Sequence, residues 1–194
     1  MPMSTKNPKT AADRGNCCIA LLRAVNVGGR SVAMAELRAM LTELGCGNPR
    51  TLLQSGNAVF TLKARTSLAA FEAKLEAQAQ RRFGMPVAFM LRSATEWDAT
   101  IARNPFPEAA RNDPGHLLLM ALKGAPTAAA IKALRDGYKG PETIHAAGRD
   151  AYLVYPEGVG RSKLTNALIE RKLGVAGTAR NWNTVLKLAV LAAT

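Results

Sequence analysis

Five cations crowd residues 158–185, GVGRSKLTNALIERKLGVAGTARNWNTV: Arg161, Lys163, Arg171, Lys172 and Arg180, with Glu170 the one acid among them. An apolar run at 151–155 reads as a strand leading into Gly158-Val159-Gly160. A strand, a glycine turn and a basic helix start form a place where backbone amides and cations converge on an anion. The stretch is not a Walker loop, because Gly-x-x-x-x-Gly-Lys-[Ser/Thr] is absent. Nor is it a dinucleotide fingerprint, since Lys163 stands where the third glycine belongs. Arg161, Ser162 and Lys163 are therefore candidate anion ligands, and the competing role for Ser162 is a plain helix N-cap. Arg180 and Asn181 precede a second helix start and join the candidate set. Arg180 has a scaffold role open to it as well, on the ring of Trp182 or on backbone carbonyls.

A second group of polar residues follows the first apolar run and fills the first hairpin turn. It comprises Arg23, Asn26, Gly28 and Gly29, then Gln54, Ser55 and Asn57. Guanidinium, carboxamides and free glycine amides without a carboxylate suit an anion or a nucleobase edge. The alternative is that Asn26 and Asn57 satisfy turn backbone while the arginine stays solvated. Residues for bond-making chemistry are sparse. Ser55 and Ser162 have no histidine near them in sequence, and the two histidines, His116 and His145, stand far apart. Asp98, Asp113, Asp136, Glu142, Asp150 and Glu157 sit singly at element ends. No metal-ligand spacing and no cofactor motif appears, and no catalytic residue is assigned.

These residues must be held by an α+β scaffold. The apolar run at 17–25 predicts a strand, and Met34, Leu37, Met40, Leu41 and Leu44 follow at helical spacing. Runs at 51–54 and 57–62 predict a hairpin around Ser55-Gly56. Ser67 and Gly84 bracket a second helix, and 86–91 reads as a strand. The order βαββαβ is that of a ferredoxin-like, or α-β plait, domain. Its topology puts the loop after the first strand, the hairpin turn and the loop after the second helix, with Arg81 and Arg82, at one end of the sheet. Ser93 to Glu96 form a capping box, and the proline-bearing 104–115 reads as a loop. The second half repeats the pattern: a strand at 116–122, a helix from Pro126 to Gly137, and a hairpin around 148–150. Ser162 is expected to cap the basic helix, 174–179 to form an edge strand and Asn181 to cap a final helix. The fold class is thus two ferredoxin-like domains in tandem. Residues 1–16 are expected to form a disordered tail, 17–92 the first domain, 93–113 a linker helix and loop, and 114–194 the second domain with its C-terminal helix.

Bulk properties narrow the partners. The chain has 194 residues and carries Lys plus Arg 26 against Asp plus Glu 14, a net +12. Such an excess favours phosphorylated or polyanionic partners. Three cysteines, Cys17, Cys18 and Cys46, an odd number with no Cys-x-x-Cys, read as buried thiols in a reducing compartment. No run approaches the roughly 18 apolar residues of a membrane span, and the expected location is the cytoplasm.

Several stretches resemble the bacterial family catalogued as domain-of-unknown-function family 1697. They are Leu21-Leu22-Arg23-Ala24-Val25-Asn26-Val27-Gly28-Gly29, Met34-Ala35-Glu36-Leu37, Gln54-Ser55-Gly56-Asn57-Ala58-Val59-Phe60, Gly160-Arg161-Ser162-Lys163-Leu164 and Thr178-Ala179-Arg180-Asn181-Trp182-Asn183-Thr184-Val185. The resemblance implies two α-β plait domains and supplies no activity, substrate or cofactor. Ala24 departs from the glycine usual there: if that position approaches a ligand its methyl narrows the site, and if it is only strand backbone nothing changes. The leading expectation is a binding protein for a phosphorylated small molecule or nucleic acid. Two others stand beside it: an enzyme for a small anionic metabolite using Arg23, Asn26, Ser55 and Arg161 between the domains, and a dimerising interaction module.

Overall fold

The computed structural model describes residues 16–23, 25, 31–54, 56–63 and 66–194. Asn26, Gly28, Gly29 and Ser55, and with them Ala24, lie outside the described residues. The first half runs β1 (Cys17–Leu22), α1 (Met34–Glu43), β2 (Gly47–Thr51), β3 (Asn57–Thr61), α2 (Leu68–Phe83) and β4 (Phe89–Ser93). Two helices follow, α3 (Ala94–Ala102) and α4 (Pro107–Asn112), the latter lying within the stretch read as a loop. The second half runs β5 (Leu117–Leu122), α5 (Ala128–Gly137), β6 (Thr143–Ala147), β7 (Asp150–Val154), α6 (Asn166–Leu173), β8 (Gly177–Asn181) and α7 (Trp182–Ala193). The sheets are ordered β2-β3-β1-β4 and β6-β7-β5-β8, with every pairing antiparallel. Each is the α-β plait topology, so the fold is α+β with two such domains in tandem. The compact units comprise Met1–Ala99 with Lys187–Thr194, and Thr100–Leu186.

The first unit's core joins Cys18, Ala20 and Leu22 of β1 to Leu37, Met40 and Leu41 of α1 and Phe71, Leu75 and Ala79 of α2. The second joins Leu118, Met120 and Leu122 to Leu134, Ile169 and Leu173. The alternate residues Cys17, Ile19 and Leu21, and Leu117, Leu119 and Ala121, are fully buried too. Both faces of the central strands β1 and β5 are therefore buried, while the outer strands β2 and β6 stay partly exposed.

Two further local expectations fail for physical reasons. Strand β2 is Gly47–Thr51, not 51–54. It is an edge strand, which tolerates Pro49, and its register with β3 shifts between Gly47 and Arg50. Helix α6 is capped by Thr165, whose hydroxyl accepts from the Leu168 amide at 3.2 Å, not by Ser162. Other caps stand as read: Ser67 and Gly84 on α2, the Ser93–Glu96 box, and Asn181 Oδ1 accepting from the Thr184 amide at 3.0 Å.

The two units repeat one another by register, although their residues differ. Asn57 lies opposite Leu21 and Asp150 opposite Ala121, so a buried polar residue opens β3 and β7 alike. Arg92 lies opposite Ile19 and Arg180 opposite Leu119, and each is a buried arginine one residue before a helix cap. Helix carboxylates also seal one outer strand of each sheet, β4 and β8. Glu72 and Glu76 accept from the Leu91 and Phe89 amides at 2.7 and 3.0 Å, and Glu170 accepts from Gly177 at 2.7 Å. Those edges are thereby closed to pairing with another chain.

Asp150 holds α3 to β7: Thr100 Oγ1 donates to its Oδ2 at 2.7 Å, and Arg103 Nη2 lies 3.5 Å away. Asp150→Ala leaves the buried Thr100 hydroxyl without that acceptor, so the expected loss is about 2–3 kcal/mol. Asp150→Asn, which installs the residue found at the equivalent position 57, is expected to cost about 1 kcal/mol. Urea denaturation at pH 7 checks both, and a parental midpoint for Asp150→Ala rejects the structural role.

Candidate functional site

Within the second unit, two connections meet at the end of the sheet where β6 starts and β7 finishes. Residues 138–142 join α5 to β6, and residues 155–165 join β7 to α6. In the first unit the same connections are shorter: three residues, 44–46, in place of five, and six, 62–67, in place of eleven. The additional chain builds a cavity of about 450 Å³ lined by Lys139, Gly140, Glu142, Glu157, Arg161 and Lys163, together with Tyr138, Pro141 and Ser162. Added length in two connections on a repeated scaffold is where function concentrates, since loops vary at little cost to the core.

A hydrogen-bonded set forms the polar wall. The Tyr138 hydroxyl donates to Glu142 Oε2 at 2.5 Å, and the Ser162 hydroxyl donates to Glu142 Oε1. The Leu164 amide donates to Ser162 Oγ at 2.9 Å, and the Tyr155 hydroxyl donates to the Leu164 carbonyl at 3.0 Å. Partial desolvation pushes the Glu142 carboxyl up, but the hydroxyls of Ser162 and Tyr138 outweigh it and hold it below the ordinary range. The same desolvation, with the Glu142 contact, raises the Tyr138 phenol. Gly158, at φ 79, starts the short 3-10 turn Val159–Arg161 that carries the exposed Arg161 into the rim. Neither Arg161 nor Lys163 forms an ion pair among the described residues.

Of the sequence candidates, Arg161, Ser162 and Lys163 come together here. Arg180 does not stand on the surface: it is buried in β8, and its Nη1 donates to Thr178 Oγ1 and to the Ala179 carbonyl, both at 2.8 Å. Burial pushes its guanidinium down to about 10. Asn181 is occupied as the cap of α7.

At the first edge the backbone closes as the topology requires. The Leu22 amide donates to the Gly56 carbonyl at 2.8 Å, and the Arg23 amide to the Ala88 carbonyl at 2.9 Å. Asn57, however, is fully buried, and its Nδ2 donates to the Leu52 carbonyl at 2.8 Å, bracing the turn. Arg23 is half-buried and Gln54 exposed. Arg82 pairs with Glu36 and Glu43 at 2.8 and 2.7 Å, so this edge does carry carboxylates.

Tyr138, Lys139 and Glu142 are absent from the sequence candidates. The signal for them was topological: in a plait, the connection into the second strand and the one leaving the third share an end. Among the described residues, no three His, Cys, Asp or Glu side chains are grouped to hold a metal ion, and no helix is long and apolar enough to cross a membrane.

The fold and the cavity define a tandem pair of α-β plait domains, the second enlarged at one end. Residues 16–152 match the family model "Protein of unknown function (DUF1697)", and the chain belongs to that family. The structure is similar to that of the conserved bacterial protein SP0830 from Streptococcus pneumoniae, with a TM-score of 0.73 at 22% identity, covering 92% of this chain and 99% of that one. None of the curated proteins matches the sequence.

Proposed function

We propose that this protein binds a small phosphorylated anion in the cavity between residues 138–142 and 157–163. The observation that carries the reading is the convergence of Lys139, Arg161 and Lys163 on one concave surface. Charge-assisted contacts to a phosphate are the strong ones, and among the described residues Arg161 and Lys163 are not committed to an ion pair. A small ligand is favoured over nucleic acid because none of the Phe, Trp or Tyr side chains is exposed. Plait domains that read single-stranded RNA stack bases on aromatics displayed by the sheet.

The test is titration with inorganic phosphate, followed by backbone amide shifts. Saturable shifts are expected at residues 138–142 and 157–163. The double variant Arg161→Ala, Lys163→Ala should weaken binding by about tenfold or more, since a lost 1.4 kcal/mol is a factor of ten. It should stay folded, because exposed charges contribute little to stability. Absent phosphate binding together with oligonucleotide binding that falls steeply with salt overturns the proposal in favour of a nucleic-acid role.

A further inference from the structure

We infer that the ligand of this cavity is a hydroxyl-bearing phosphate monoester, a sugar phosphate or a nucleotide, bound through its phosphate by Lys139, Arg161 and Lys163 and through its hydroxyls by Glu142. The inference rests on the binding reading above and specifies its ligand. A site for a bare anion has no use for carboxylates, yet Glu142 and Glu157 line the same cavity as the three cations. Glu142 is a built part of the wall, fixed by the hydroxyls of Ser162 and Tyr138. An ionised carboxylate offers about four lone-pair sites, and these two donors leave acceptor capacity on it. The cavity reaches that carboxylate through Gly140: a Cβ there would fall directly on the Tyr138 hydroxyl and Glu142 Oε2. Glycine at 140 is thus what lets the Tyr138 hydroxyl and the Glu142 carboxylate stand where they do.

The ligand must therefore bring acceptors to one side of the cavity and donors to the other. An ammonium donor is disfavoured by the three cations nearby, and hydroxyls carry no such penalty. A volume of about 450 Å³ also exceeds what inorganic phosphate fills and lies within the range of pockets for small organic ligands.

The experiment compares inorganic phosphate, ribose 5-phosphate and AMP by calorimetry on the full chain. Ribose 5-phosphate is expected to bind at least about tenfold tighter than inorganic phosphate, because a site built to hydrogen-bond hydroxyls discriminates against ligands lacking them. AMP tighter than ribose 5-phosphate identifies the nucleotide as the source of the chemistry, and AMP weaker identifies the free sugar phosphate. In Glu142→Gln, and separately in Gly140→Ala, whose Cβ forces the Tyr138 hydroxyl and the Glu142 carboxylate out of place, the ratio of ribose 5-phosphate to phosphate affinity should collapse to within about twofold of unity. Equal affinities in the parent, or an unchanged ratio in both variants, overturn this inference while leaving anion binding standing. Failure of all three ligands to bind overturns the binding reading and this inference with it.

Discussion

Gly56→Ala is expected to destabilise the first unit by about 3 kcal/mol, while Gly84→Ala costs about 1 kcal/mol. Both glycines have positive φ, 74° and 66°, so the left-handed conformation penalises alanine at each. They differ in surroundings. A Cβ on Gly84 meets nothing within 4 Å, whereas one on Gly56 would lie 2.5 Å from Val25 Cγ2 and 2.8 Å from Leu22 Cβ. Leu22 Cβ belongs to a fully buried central strand and cannot swing aside, so the turn must lift off the end of β1. Lifting it strains the Leu22–Gly56 backbone bond and the Asn57 brace to Leu52. Parallel urea titrations of the two variants measure the difference. Equal costs would mean that the close approach carries no energy and that only φ matters.

Much of this scaffold is legible in the sequence because its signals are local. The continuous apolar runs of β1 and β5 announce strands buried on both sides, and the caps at Ser67, Ser93 and Asn181 lie within three residues of the groups they bind. Strand β2 is invisible for the opposite reason. Gly-Asn-Pro-Arg-Thr has little strand propensity, and pairing with β3 imposes the conformation on it. The repeat between the halves escapes inspection since it is written in register rather than identity: Asn57 matches Asp150, and Ser93 matches Asn181. The site was half legible. Arg161 and Lys163 show as a basic cluster, but Ser162 meets Glu142 across twenty positions of sequence, and no spacing rule links them. Ser-Lys-Leu-Thr offers two hydroxyls three residues apart, and by local sequence either can cap the helix. The outcome turns on the Glu142 carboxylate, which engages the first hydroxyl and leaves the cap to Thr165.

The second large effect is an alkaline loss of stability. Burial, followed by the neighbouring Cys17 and Cys46, pushes the Cys18 thiol from 9.0 up to about 12, and burial pushes Cys46 up to about 11. Burial, then the Asp150 charge, raises the Tyr152 phenol from 10.0 to about 12, and burial raises Tyr155 as well. In all four groups the folded protein holds the proton more tightly than the unfolded chain. Their contribution is complete below the unfolded values and is lost as pH climbs from about 9 through the folded values. Arg180 acts in the opposite sense: its folded value, about 10, lies below its ordinary 12.5, so its burial penalty is relieved above pH 10. The Tyr138 phenol, also raised, acts in the same sense, and five groups against one fix the sign. A two-unit shift corresponds to about 3 kcal/mol, so the unfolding free energy should fall by several kcal/mol between pH 9 and pH 12. Tyr152→Phe separates the contributions. It removes the hydroxyl bond to the Thr100 carbonyl, at 2.7 Å, and should cost about 1 kcal/mol at pH 7. Above pH 10 its stability should decline less steeply than the parent's, so the two curves converge. Urea titrations at intervals from pH 7 to pH 12 test the claim, and a parental curve that stays flat or rises above pH 9 would show that these buried thiols and phenols do not govern alkaline unfolding.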